Sequence, residues 1–334
     1  MIHVHHPVLV GQTALYLGKK YKIPGAYTYH TRYEEYLHHF KLYEAMASGE
    51  YPVSRIARYG KEILVPALIT AFSNQCDLVF APTSTMKDHL LEQGTKTRIS
   101  VLPTGLDRVS FQYDEMLSSE IRNMYGNGCP YLFATTARLE KEKNLDFLFQ
   151  GTARLRDILG QDFRLMVIGD GTERRHLEEL ARMLGISRQI VFTGKIENTR
   201  VRHYLNAADA FLFASKSETQ GIVLLEAMAA GCPVAAVRAS GAVDVVRPGI
   251  NGYMTEEHPE AFAAAAARLV LERDVWSGRS EEARKTAELY ESGRIAALAA
   301  EQYGLMTGQK EAAGYGEHGK GMFVPSILRL FKAA

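Results

Sequence analysis

Two acids, Glu218 and Glu226, stand with seven residues between them in the stretch SETQGIVLLEAMAAGCPV, Ser217–Val234. A carboxylate can accept from two neighbouring hydroxyls, the usual way a sugar or a ribose is held. Glu218 precedes a helix expected over Gly221–Ala230, and Glu226 falls inside it. Glu218 is thereby placed to meet a sugar and Glu226 a ribose. The missing side chain at Gly221 would let a ligand approach the backbone N–H groups of Gly221 and Ile222 at the positive end of that helix. The plainer alternative makes Glu218 a favourable charge beside the helix dipole and Glu226 a solvent-facing acid. Leu224, Leu225, Ala227 and Met228 are poor company for a surface acid, however, and a buried carboxylate needs partners.

A second candidate lies upstream in TTARLEKEKNL, Thr135–Leu145. A strand is expected to end near Thr136 and a helix to begin near Asn144, whose side-chain oxygen can cap it. Arg138 and Lys143 occupy the loop between. A helix start carries partial positive charge and free N–H groups, so two added cations make a cradle for a diphosphate. Arg can grip two oxygens and Lys acts as a point charge. A solvated loop with capping charges is the alternative. Two further loops, VIGDGTE (Val167–Glu173) and VFTGKIE (Val191–Glu197), follow strand-like runs. Gly169, Gly194, Lys195 and Ile196 could there offer backbone groups and an apolar face to a base, or serve only as connecting turns.

Histidines cluster near the start. His30 ends the strand-like run Ala26–His30, where an imidazole could face a ligand or bond a backbone group. His3 and His5 share one face of the run Ile2–His5 and, with His6, invite a metal site. No Asp or Glu joins them nearby, and the donor set is incomplete.

These groups must be positioned by the elements around them. Apolar runs at Leu78–Ala81, Ile99–Leu102, Tyr131–Thr135, Leu165–Ile168, Ile190–Thr193, Ala210–Phe213 and Val234–Val237 alternate with helix-length segments such as Thr83–Gln93, Leu145–Leu159 and Thr172–Leu184. That alternation predicts βαβ units on parallel sheets, an α/β class, and ligands in such sheets bind beyond the carboxyl ends of the strands. With 334 residues the chain has room for two domains. A seam at Asp107–Pro130, poor in apolar residues, sets them at 1–125 and 130–305, with a loose tail over 306–334 rich in Gly, Glu and Lys. A formal charge of +1 gives no global field for nucleic acid. Three scattered cysteines, Cys76, Cys129 and Cys232, argue against a disulfide framework or a zinc site and fit a reducing, cytoplasmic setting. No apolar run approaches the ~20 residues of a membrane span, and MIHVHHPVLV is not a signal peptide. A dinucleotide oxidoreductase would need a third Gly that GDGTER lacks.

The pieces ARLEKEKN, VIGDGTE, FTGKI and SETQGIVLLEAMAAGCPV together resemble the nucleotide-binding half of the family-4 retaining glycosyltransferases. Their fold is GT-B, with two Rossmann-like domains facing a cleft. The E-x7-E motif is the most specific of the four, and Ala137 departs from the Gly that commonly precedes the Arg. The resemblance implies that Arg138 and Lys143 hold a donor diphosphate, that Glu218 contacts the transferred sugar, and that Glu226 binds the ribose. It implies an active-site role for His30 and no metal or other cofactor. YHTRYEEYLHHF resembles the subgroup that glucosylates diacylglycerol. Lys41, Arg55, Arg58 and Lys61 amid Tyr43, Ile56, Tyr59, Ile63 and Leu64 suit a helix on an anionic membrane surface, although an ordinary helix packed on its sheet would carry a similar pattern. The family has further strands ahead of IHVHHP, so the N-terminal domain is expected to be incomplete, with an unpaired sheet edge. The expectation is a peripheral enzyme at the inner membrane face, moving a hexosyl group, glucose from UDP-glucose, to a lipid such as diacylglycerol. The alternatives are a non-catalytic nucleotide-sugar-binding fragment and a mannosyltransferase using GDP-mannose with a polyol or inositol lipid acceptor.

Overall fold

The computed structural model describes residues 1–35 and 53–308. The expected tail beyond Gly308, the lipid-subgroup segment from Tyr36 onward, and Lys41 and Tyr43 of the basic stretch lie outside the described residues. The chain divides into two compact units, one formed by Met1–Pro103 with the chain from Ile295, the other by Thr104–Arg294. The division falls ahead of the seam expected at Asp107–Pro130. The reason is helix Glu115–Gly126, whose Ile121 joins the core of the second unit. From the same helix, Arg122 forms a 2.9 Å ion pair with Asp209.

The second unit holds six parallel strands: β5 (Tyr131–Thr136), β6 (Phe163–Ile168), β7 (Ile190–Gly194), β8 (Ala210–Phe213), β9 (Val234–Val237) and β10 (Gly252–Thr255), in the order β10-β9-β8-β5-β6-β7. Side chains alternate between the sheet's two faces. Phe211, Phe213, Met166, Ile168, Val234 and Ala236 enter one core, while Ala210, Leu212, Leu165, Val167, Ala235 and Val237 enter the other. Both faces are covered by helices, so these strands are apolar at consecutive positions. Each fully buried Phe or Leu contributes about 1.5–3 kcal/mol. Strand order reverses between β5 and β8, which makes the space beyond their carboxyl ends the natural ligand crevice.

The first unit is a four-stranded parallel sheet in the order β1 (Ile2–Val4), β2 (Gly25–Thr28), β3 (Leu78–Ala81), β4 (Ile99–Val101). Val79 and Ala81 bury into one core, Leu78 and Phe80 into another. The second is completed by Tyr303 and Met306 of the helix Ser292–Thr307.

Candidate active site

The two loops that leave β5 and β8 meet. Lys143 Nζ donates to Glu218 Oε1 at 2.6 Å, joining the expected diphosphate cation to the expected sugar acid. The pair is largely sheltered, with side-chain exposures of 11% and 26%. Low exposure weakens solvent screening, so the attraction within this pair is screened less than in an ordinary surface ion pair. Ser215 Oγ also donates to Glu218 Oε1, at 3.3 Å, and Ser240 Oγ to the Glu218 carbonyl, at 2.7 Å. Ser217 Oγ donates to the Glu142 carbonyl at 3.2 Å, a second stitch between the loops.

Arg138 lies on the same loop but is more open. Its side chain is 59% exposed and pairs at 3.3 Å with Glu142, which is 8% exposed. Asn144 does not cap the helix Leu145–Leu159 as expected. It takes a left-handed conformation, φ 56°, and makes no side-chain cap bond. Its amide donates instead to the Ala214 carbonyl at 3.2 Å and to Glu257 Oε1 at 2.7 Å. The backbone at Asn144 is left-handed rather than extended, and the two acceptors of its amide turn the side chain away from the helix start.

The glycine loops are built by close backbone approach. Gly169 N–H donates to the Gly194 carbonyl at 3.0 Å. A Cβ on Gly169 would stand 2.0 Å from the Ala137 carbonyl oxygen, at φ +136°. Leu139 N–H donates to the Asp170 carbonyl and Glu173 N–H to the Leu139 carbonyl, so the loop after β6 is sewn to the loop after β5. Lys195 is exposed, whereas Ile196 and Ile222 pack against the core below. Gly221 carries φ +68°, and a Cβ there would meet the Gly241 carbonyl at 2.8 Å. Its glycine is therefore required by packing as well as by any ligand.

Glu226 stands on helix Ile222–Ala229. It lines a pocket of about 20 Å³ with Val109, Ser110, Asn198, Thr199 and Arg202. Burial pushes its carboxyl up to about 7. Ser110, Asn198, Thr199 and Arg202 were not legible as site residues. They are ordinary polar side chains on a linker and a helix, and only the chain's path brings them to Glu226.

In the first unit, His30 stands two residues past β2, with Nδ1 2.8 Å from Thr31 Oγ1 and its ring 5.6 Å from His5 and 5.8 Å from His6. Burial, then His5 and His6, hold its pKa below the ordinary histidine range. His3 has both ring nitrogens engaged, Nε2 with Thr28 Oγ1 at 2.7 Å and Nδ1 with Tyr303 OH at 2.8 Å. Among the described residues no group of three or more His, Cys, Asp or Glu is arranged to hold a metal ion.

The sequence profile described as glycosyl transferases group 1 matches residues 120–289, the whole of the β5-to-β10 sheet. The chain belongs to this family. The profile described as glycosyltransferase family 4 matches residues 1–109. An alpha-monoglucosyldiacylglycerol synthase of Streptococcus pneumoniae is 31% identical over 243 residues, covering 71% of this chain and 51% of that protein. A second, from Acholeplasma laidlawii, is 26% identical over 265 residues, covering 78% and 64%. The chain thus spans about half to two thirds of the length of these curated relatives. Among solved structures, HepE of Anabaena in complex with UDP superposes with a TM-score of 0.71 at 20% identity, covering 88% of this chain and 77% of that one. The fold of this group 1 chain is accordingly GT-B, and its two parallel α/β units are Rossmann-like.

Proposed function

We propose that this chain is a retaining hexosyltransferase that moves glucose from UDP-glucose to a lipid acceptor such as diacylglycerol, working at the face of an anionic membrane. The observation that carries the reading is the Lys143–Glu218 contact at the β5/β8 reversal. A cation and a carboxylate that neutralise one another are poised to exchange partners. The donor's diphosphate takes Lys143, and Glu218 is released to accept from the sugar hydroxyls. Arg138 and the start of helix Leu145–Leu159 add positive charge where the departing diphosphate gains negative charge. No metal or other cofactor is invoked.

Glu226 in its carboxylate form accepts from the ribose hydroxyls, and the turn at Gly194–Ile196 faces the base. In the transfer itself, the bond from the sugar's C1 to the diphosphate oxygen breaks. The acceptor hydroxyl adds on the same face, and its proton passes to the departing phosphate. Glu218 orients the sugar and is not the nucleophile. His30 takes the positioning role that the family resemblance gives it.

Support for the lipid side comes from the relatives' names and from the segment Val53–Ser73. Ile56, Tyr59, Ile63, Leu64 and Leu68 on that segment are all at least half exposed, with Arg55 and Arg58 exposed among them. An apolar stripe flanked by cations suits an anionic lipid surface. Among the described residues no helix is long and apolar enough to cross a membrane.

The test is a donor panel of UDP-glucose and GDP-mannose against diacylglycerol in anionic vesicles and against soluble polyols. Glucosyl transfer to diacylglycerol is expected. UDP binding without turnover would favour a non-catalytic binder, and preference for GDP-mannose with a polyol would overturn the substrate assignment.

A further inference from the structure

Glu257 sits between β10 and helix Pro259–Leu271, far in sequence from either loop of the candidate site. Its carboxylate nevertheless joins them. Oε1 accepts from Asn144 Nδ2 at 2.7 Å, and Oε2 accepts from Lys216 Nζ at 2.5 Å. Asn144 directly follows Lys143, and Lys216 lies two residues before Glu218. Asn144 is also one of the few non-glycine residues with positive φ, at 56°. That conformation costs a residue with a Cβ something, and it persists only where surroundings hold it. Here the holders are the Ala214 carbonyl at 3.2 Å and Glu257. The backbone turn that aims Lys143 is thus fixed by a side chain from the far strand of the sheet.

We propose that Glu257 is a positioning residue for the donor site: by clasping Asn144 and Lys216 it sets the placement of Lys143 relative to Glu218, and so the fit of the donor's diphosphate and sugar. The inference rests on the functional reading above. Stability alone does not account for the clasp. Lys216 and Glu257 are 52% and 38% exposed, and exposed ion pairs add little to stability. Their contribution should therefore be read in ligand binding rather than in Tm. The lowered pKa of Glu257, caused first by the Lys216 hydrogen bond, keeps the carboxylate ionised across the neutral range.

The experiment uses the full chain, with UDP and GDP as binding probes and UDP-glucose turnover as the second readout. Glu257→Ala is expected to raise the UDP Kd and the donor KM about tenfold, since small misplacements at a reacting centre are costly, while kcat changes less and Tm hardly moves. Glu257→Gln keeps an acceptor for Asn144 and should recover most of the loss. Asn144→Gly retains the left-handed turn but lacks the tether. It should reproduce the Glu257→Ala defect, and the double variant should be no worse than either single, as for two residues acting as one unit. If Glu257→Ala does not fold, Asn144→Gly and Glu257→Gln carry the comparison. Unchanged UDP affinity and donor KM in the folded variants, with wild type binding UDP, overturns the inference and leaves the functional reading standing. A wild type that binds neither UDP nor GDP overturns both.

Discussion

The unit Thr104–Arg294 and the unit built on Met1–Pro103 are both parallel α/β layers, yet they differ in how much is already fixed. In the former, both sheet faces are filled, and Lys143, Asn144, Lys216 and Glu218 are bonded to one another or to Glu257 at three strand ends. In the latter, a cavity of about 410 Å³ lies among Ile2, Val4, Leu15, Ile23 and Cys76, and Val8, Leu9 and Val10 are largely exposed. His3, His5, His6 and His30 there lie ring against ring, and His89 stands 3.5 Å from Glu34, which also pairs with Arg32 at 3.2 Å. On the proposed function, the charge chemistry lies in the tightly built unit, where Lys143 and Glu218 are already held beside one another before a donor arrives. Pre-set charge is the form of electrostatic stabilisation that costs no reorganisation during reaction.

The sharpest way to break that comparison is to remove its charges. Lys143→Ala and Glu218→Ala should each lower kcat by about 10²–10³ with folding intact, the loss typical of a deleted stabilising group. Full glucosyl transfer in both would end the site assignment. The next effect concerns packing. Gly169→Ala places a Cβ 2.0 Å from the Ala137 carbonyl at φ +136°, whereas Gly25→Ala in the first unit meets nothing within 4 Å. Thermal or urea unfolding should show a loss of about 2–4 kcal/mol for the former and less than about 1 kcal/mol for the latter. Equal losses would deny that the β5–β6 loop contact is as tight as described.

A pH effect follows from Glu226, pushed up to about 7 by burial. Its folded-state pKa lies above its unfolded value. The stability it contributes is therefore complete below the ordinary carboxylate range and is lost as pH rises through about 7. Glu226→Gln should flatten that dependence, by on the order of 2 kcal/mol, in denaturation curves taken from pH 5 to 8. UDP affinity should move the other way in wild type, strengthening as the carboxylate ionises, and the Gln variant should lose that trend. The smallest expected effect is at the segment Val53–Ser73, proposed above to meet an anionic lipid surface. Arg58→Ala should weaken vesicle binding about fivefold at low salt, near 1 kcal/mol per cation, and the difference should fade as salt rises.

Much of the fold of the unit Thr104–Arg294 was legible because its information is local. Strand-like runs such as Leu165–Ile168 are apolar on both faces, and the spacing of Glu218 and Glu226 is a property of one helix start. The strand Gly252–Thr255 was not anticipated: GYMT is short, opens on glycine and pairs only with β9. Partners far apart in sequence were equally out of reach. Glu257 reaches Asn144 across 113 positions, and Gln220 bonds both the N–H and the carbonyl of Thr104 across 116. No period or propensity encodes such meetings. The reassigned role of Asn144 shows the same limit, since a capping side chain was diverted by tertiary acceptors that only the β5/β8/β10 arrangement supplies.

The most direct test of the partner exchange is a crystal structure of the full chain with UDP-glucose bound. The account predicts Lys143 Nζ on a diphosphate oxygen, Glu218 on a sugar hydroxyl and Glu226 on the ribose. A bound nucleotide with the 2.6 Å Lys143–Glu218 pair still closed, or seated away from β5 and β8, would contradict it.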